Sequence, residues 1–284
     1  MPHIQCTYGP IQSPQPNPPP SRNPSCSRWA PELPAPSATI IAMPRDDRPP
    51  AGPLRRRGET VAVTGANGFV AAHCVRRLLE AGYAVRACVR DPAAPAKTAF
   101  LRDLAARAGA GDRLAFFRGD LGEPGSYDAA LEGADAVIHA AAVVLLSGSK
   151  DPENEIVAPA VEGTRNVLES AKRSSTLRRF IQLSSVAAVY DMRRPPGHVF
   201  TEADVNDFST VANGDAYGCG KSEAEKLVWE AARGGGLGFD VVALNPSVVI
   251  GPVLAKAHTK ASPIFVRQML CGARGRSSAR APVG

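Results

Sequence analysis

Between residues 58 and 272 the chain alternates two rhythms. Short, nearly unbroken apolar or β-branched runs stand at "TVAVT", "YAVRACV", "RLAFF", "ADAVIHA", "RRFIQLS" and "FDVVALN". Helix-length segments separate most of them, at 69–80, 97–107, 155–172 and 216–232. Strands without a polar face must be covered on both sides, which is the condition of a parallel sheet between two layers of helix. Parallel neighbours need crossover connections, and these are right-handed, so the pattern predicts an α/β fold with a doubly wound parallel sheet.

The two ends lack that rhythm. Residues 1–57 hold 15 of the chain's 26 prolines and seven arginines against three acids, Glu32, Asp46 and Asp47. Proline at that density removes backbone donors and blocks helix, so a disordered Pro/Ser/Arg-rich extension is expected. Low acid content beside Arg and Ser fits an organelle transit peptide. The lack of a clear amphipathic helix and a second methionine at Met43 argue for a cytoplasmic protein instead. The segment 273–284, "ARGRSSARAPVG" after Cys271 and Gly272, has no periodicity and reads as an unstructured tail.

Composition narrows the function classes. The formal charge of +6 owes much to the two ends, so a solvated basic surface is the reading and no nucleic-acid partner is inferred. Six cysteines are scattered without a Cys-x-x-Cys pair, which argues against a zinc site or a disulfide framework. The longest apolar run, "AVIHAAAVVLL", is too short to span a bilayer and contains a histidine, so no membrane partner is expected either.

The first strand leads into "GANG" and then a helix that closes at Gly82. Gly65 can take the dihedrals of a tight turn, and Gly68 leaves no side chain between backbone and ligand. The first amides of the helix then point outward with partial positive charge, which suits a pyrophosphate. Gly65, Asn67, Gly68, Phe69 and Val70 form this candidate cradle. The spacing is Gly65-x-x-Gly68-x-x-Ala71, not G-x-G-x-x-G, with Ala71 at the close helix–strand contact. Such a turn also serves as a plain βα connection; its place between the first strand and first helix favours a nucleotide.

Arg90 ends the second strand, where NAD enzymes commonly carry an acid for the ribose 2′-hydroxyl. With Lys97 seven residues on, it suits a 2′-phosphate, hence NADP(H); a solvated basic loop is the plain alternative. "RGDL" puts Asp120 and Leu121 at the edge where adenine would lie. "HAAA" offers small residues, Ala140 and Ala141, where the cofactor crosses the sheet, and His139 is expected to be a satisfied core group.

The later segment "DAYGCGKSEAEKLVWEAA" sets Tyr217 and Lys221 four apart on one helix face. An isolated phenol is a poor proton donor at neutral pH, and a neighbouring ammonium favours its ionised form. Upstream, "FIQLSSVAAVY" ends a buried strand in Ser184 and Ser185, where a hydroxyl can bond a substrate carbonyl and its developing alkoxide. Each feature alone has a structural reading: a tyrosine packed on a lysine stem, a serine capping a turn. Their order along one chain is what argues for a site.

The segments "VTGANGFVAAH", "VRDPAAPAK", "DAVIHAAA", "VEGTRNVLESA", "FIQLSSVAAVY", "YGCGKSEAEK" and "NPSVVIGP" resemble the extended short-chain dehydrogenase/reductases, in the group with dihydroflavonol and cinnamoyl-CoA reductases. The likeness covers about residues 59–272. It implies a Rossmann fold and an NADPH-dependent oxidoreductase acting on a small-molecule aldehyde or ketone. By that resemblance Tyr217 gives the proton, Lys221 activates it and binds ribose, and Ser185 (Ser184 second) polarises the carbonyl. Pro246 and Ser247 would lie near the carboxamide, and Asn166 would support a relay water. The same scaffold implies two alternatives: an NAD-dependent nucleotide-sugar epimerase or dehydratase, against which Arg90 and Lys97 speak, and a catalytically weak NADP-binding protein. The second is suggested by the residues after "GP". There "LAKAHTKASPIFVRQMLCG" looks like one substrate-side helix, so a small, truncated C-terminal substrate lobe is expected. Met192, Phe200 and Phe208 in the loop before Tyr217 are read as loop packing. Oligomeric state is not legible.

Overall fold

The computed structural model describes residues 58–143, 148–260 and 262–270; the expectations for 1–57 and for 273–284 lie outside them. Six strands form one parallel sheet: β1 (Thr60–Thr64), β2 (Ala84–Val89), β3 (Leu114–Arg118), β4 (Ala136–His139), β5 (Arg179–Leu183) and β6 (Asp240–Leu244). Each falls within a residue or two of an apolar run read from the sequence. The order across the sheet is β3-β2-β1-β4-β5-β6. The direction in which strands are added therefore reverses between β1 and β4, and doubly wound sheets bind ligands at that switch point. The register places Thr64 beside Cys88 on one side and His139 on the other.

Period-two alternation sends Val61 and Val63 to one face and Ala62 to the other. The first face packs on α1 (Phe69–Glu80) and α2 (Pro95–Arg107) through Val75, Leu79 and Leu101, each essentially without exposed surface. The opposite face, with Val137 and Phe180, packs on α3 (Asp128–Leu131), α4 (Ala158–Arg173) and α5 (Ala216–Arg233). Burying one Leu or Phe of this kind stabilises the fold by roughly 1.5–3 kcal/mol. β1 and β4 are buried on both faces almost throughout, as the apolar runs predict, while β5 alternates buried and half-buried positions. At the edges β3 and β6 are only half-buried, because each lacks a second neighbour.

Local chemistry sets the helix ends. After α1, the Gly82 amide bonds Leu79 and the Tyr83 amide bonds Leu78, the paired closure that a left-handed residue permits, and Gly82 has φ +94°. α2 starts two residues earlier than its apolar spacing suggests, since Pro95 is well tolerated in a first turn. The segment expected as one helix from 155 is interrupted. Glu153–Val157 is a widened turn in which the Ala158 amide bonds Glu153, and only then does α4 begin. Pro159 has no amide to close a regular turn onto Glu155, which loosens the helix there. After β6 come a turn of helix at Lys256–Lys260 and α6 (Pro263–Leu270). Among the described residues no helix is long and apolar enough to cross a membrane.

Candidate active site

The turn from β1 to α1 opens at the switch point. Gly65 has φ +60°, and a Cβ there would meet the Cα of Ala141 at 2.8 Å, so both backbone conformation and space demand glycine. Gly68 is exposed, and a Cβ on it would meet only the Gly65 carbonyl, at 3.1 Å. α1 has no side-chain cap and no acid in its first turn. Its leading amides at Phe69 and Val70, with Asn67 beside them, therefore stay available to an anion. The residues present fit a phosphate group at this turn.

The floor beneath it is fixed by one hydroxyl. Thr64 Oγ1 accepts the amides of Ala140 at 3.1 Å and Ala141 at 3.0 Å, which occupies both its lone pairs. Its own proton must then go to His139 Nδ1, 2.8 Å away, which leaves His139 Nε2 to donate to Thr164 on α4 at 3.3 Å. His139 is thus satisfied at both ring nitrogens, as the sequence suggested. Burial, with the Lys221 charge adding to it, pushes its pKa down to about 3. Thr64 was not singled out from the sequence; its signal is a strand-end threonine facing the small "HAAA" segment.

On the β2 side Arg90 is exposed at the strand end, and Lys97 is exposed in the first turn of α2. Neither forms an ion pair among the described residues. The neighbouring Asp91 spends its Oδ1 on the Ala93 amide at 3.0 Å. At the end of β3 the Asp120 carboxylate holds the Gly122 amide at 3.0 Å. Leu121 packs on α4 at Gly163, where a Cβ would come within 2.8 Å of it. The Asn166 amide donates to the Leu121 carbonyl at 2.8 Å, which makes Asn166 a brace for this strand end.

The two serines at the end of β5 separate cleanly. Ser184 is buried and donates to the Glu225 carboxylate at 2.5 Å. Ser185 Oγ accepts the Ala187 amide at 3.2 Å, which leaves its proton free to be given away. Lys221, only 9% exposed, stretches its Nζ to the Leu183 carbonyl at 3.4 Å and lies 5.9 Å from the centre of the Tyr217 ring. Burial lowers the Lys221 pKa to about 8, with Glu225 opposing that shift. Tyr217 is half-buried, and Asp215 anchors the helix start beneath it by accepting the Gly218 amide at 2.9 Å. The fold thus brings Tyr217, Lys221 and Ser185 to the carboxyl end of β5. Pro246 joins them, its carbonyl bonded by the Val186 amide at 3.1 Å, while Ser247 is exposed.

Two neighbourhoods were not legible in the sequence. The loop before α5 is held by buried polar groups, Asp191, Asp204, Asn206 and Ser209, with Phe200 packed on Tyr190 and His198 and with Phe208 beneath Arg193. Met192, by contrast, is 72% exposed. The segment after Pro252 returns to the glycine turn. His258 bonds the Asn67 carbonyl at 3.0 Å and packs edge-on against Phe69 and Phe100.

A doubly wound sheet with a glycine turn at its switch point, and a Tyr-x-x-x-Lys helix beside a strand-end serine, defines a dinucleotide-fold protein. Residues 61–279 match the model of the NAD dependent epimerase/dehydratase family, and the chain belongs to that family. It is 39% identical over 200 residues to a dihydroflavonol 4-reductase of Arabidopsis thaliana, covering 69% of this chain and 50% of that protein. It is 38% identical over 212 residues to the cinnamoyl-CoA reductase CAD2 of Medicago truncatula, covering 73% and 63%. Among solved structures, Gre2 of Candida albicans in complex with NADPH superposes with a TM-score of 0.66 at 28% identity, over 75% of this chain and 66% of that one. Vestitone reductase from alfalfa gives 0.58 at 30%, over 70% and 60%. The chain therefore spans between half and two thirds of the length of these curated relatives.

Proposed function

We propose that this chain binds NADPH across the carboxyl edge of its sheet and reduces an aldehyde or ketone to an alcohol. The observation that carries the reading is the placement of Lys221, between the Tyr217 ring and the Leu183 carbonyl, one residue before Ser184 and two before Ser185. The relatives named above are reductases, and one of the structural neighbours holds NADPH. The glycine cradle suits the pyrophosphate of either dinucleotide, and the free Arg90 and Lys97 support the phosphorylated cofactor over NAD, because an unpaired guanidinium suits a 2′-phosphate.

When bound, the cofactor supplies a hydride to the carbonyl carbon. Ser185 donates its free hydroxyl proton in a hydrogen bond to the carbonyl oxygen, where negative charge develops. Tyr217 gives that oxygen its proton, and the O–H bond of the phenol breaks as the alcohol O–H forms. Lys221 stabilises the phenolate left behind and offers a second N–H to the cofactor ribose; solvent then restores the phenol. Phe69, Val70, Asn67 and the two glycines would hold the pyrophosphate. Asp120, Leu121, Ala140 and Ala141 would hold the adenosine part, and Pro246 and Ser247 the nicotinamide.

The test follows NADPH oxidation at 340 nm over a broad aldehyde and ketone panel. Turnover should fall about 10²- to 10⁴-fold in Tyr217→Phe, the usual worth of a positioned acid. Equal rates in both proteins would end the Tyr217 assignment.

A further inference from the structure

A buried carboxylate lies next to this site, and the mechanism above does not use it. Glu225 is 8% exposed and stands one helical turn after Lys221, on the same face of α5. Its oxygens take three neutral donors: Ser184 at 2.5 Å, Asn245 at 2.7 Å and the Trp229 indole at 3.2 Å. Asn245 also donates to the Ser185 carbonyl at 3.0 Å, and the next residue, Pro246, accepts the Val186 amide. One side chain thus ties together the ends of β5 and β6 and the helix that carries the Tyr–Lys pair.

A carboxylate is a costly group to bury, and three neutral donors satisfy its lone pairs without cancelling its charge. Around Lys221 lie the Tyr217 ring, 5.9 Å from its Nζ, and Glu225, buried one turn further along the same helix. The buried His139 of β4 stays neutral, which leaves Glu225 as the carboxyl group placed to act on the ammonium.

We propose that Glu225 is a positioning residue: its carboxylate is the counter-charge of Lys221, and it turns Ser184 and Asn245 away so that Ser185 and the Pro246–Ser247 loop face the carbonyl. This rests on the roles given above to Tyr217, Lys221 and Ser185. It also explains why Ser185, and not its neighbour, has a free hydroxyl.

The full chain, labelled at lysine Cε and glutamate Cδ, is titrated by carbon NMR as wild type, Glu225→Gln and Ser184→Ala, with Lys221→Arg used for assignment. Removing the nearby opposite charge should move the Lys221 midpoint down by about one pH unit or more in Glu225→Gln. Ser184→Ala, which removes a hydrogen bond and no charge, should leave it within a few tenths. An unmoved midpoint in Glu225→Gln overturns the pairing. Should that variant fail to fold, wild type decides: a Glu225 side-chain carbon with the ionised signal at pH 7 supports the proposal, and a neutral carboxyl overturns it. An NADPH fluorescence titration runs alongside. A chain that ignores NADPH while Lys221 responds to Glu225 sinks the reductase reading alone; one that binds NADPH with Lys221 indifferent sinks the pairing alone.

Discussion

Acid should weaken this fold through His139 in a way that can be measured apart from every other group. The imidazole has no exposed face, and Nδ1 receives the Thr64 hydroxyl because that oxygen already accepts two amides. A proton on Nδ1 would set donor against donor and break the link that fixes Ala140 and Ala141. The folded-state pKa of about 3 lies below the ordinary 6.5, so the unfolded chain binds the proton more tightly. The stability from this group is complete above pH 6.5 and is lost as pH falls toward 3. Between pH 7 and pH 4.5 the loss is about 3 kcal/mol, from two pH units at 1.36 kcal/mol each. That is a large part of the 5–15 kcal/mol typical of a domain. Urea unfolding of wild type and His139→Gln at both pH values isolates it, since carboxylates titrate alike in the two proteins. The stability gap between them should narrow by about 3 kcal/mol at pH 4.5. A gap unchanged within about 0.5 kcal/mol would refute both the tautomer and the burial argument.

Other perturbations separate fold from site. Gly65→Ala should cost about 3 kcal/mol in urea unfolding, from a left-handed alanine and a Cβ 2.8 Å from Ala141. Gly68→Ala should cost under about 1 kcal/mol yet weaken NADPH binding about tenfold or more, by filling the cradle; a variant that binds normally would remove Gly68 from the phosphate site. Asn166→Ala frees the Leu121 carbonyl and should cost about 1 kcal/mol, with NADPH affinity a few-fold weaker and the preference over NADH unchanged, read by melting and titration.

The sheet was legible because parallel strands covered on both faces must be continuously apolar, and six such runs became six strands. Their spatial order was not read, since it depends on which crossover lies on which face. The widened turn at Glu153–Val157 escaped because a single proline, Pro159, is compatible with an ordinary first helical turn. In the site, Gly65, Tyr217 and Lys221 announce themselves by conformation and spacing. The resemblance ranks Ser185 ahead of Ser184, but the physical reason, the bond from Ser184 to Glu225 41 residues away, has no local signal. His258 contacts Asn67 across 191 residues, a separation at which local pattern carries no signal. The loop before α5 resisted reading for a different reason: it is held by buried side-chain hydrogen bonds between residues a few positions apart, which leave no periodicity.

The most direct measurement of the cofactor assignment is a fluorescence titration of the chain with NADPH and with NADH, repeated in Arg90→Ala. NADPH should bind about tenfold tighter or more, and the variant should lose most of that preference while keeping its NADH affinity. Equal affinities in wild type, or a preference untouched by removing Arg90, would contradict a phosphorylated dinucleotide held at the end of β2.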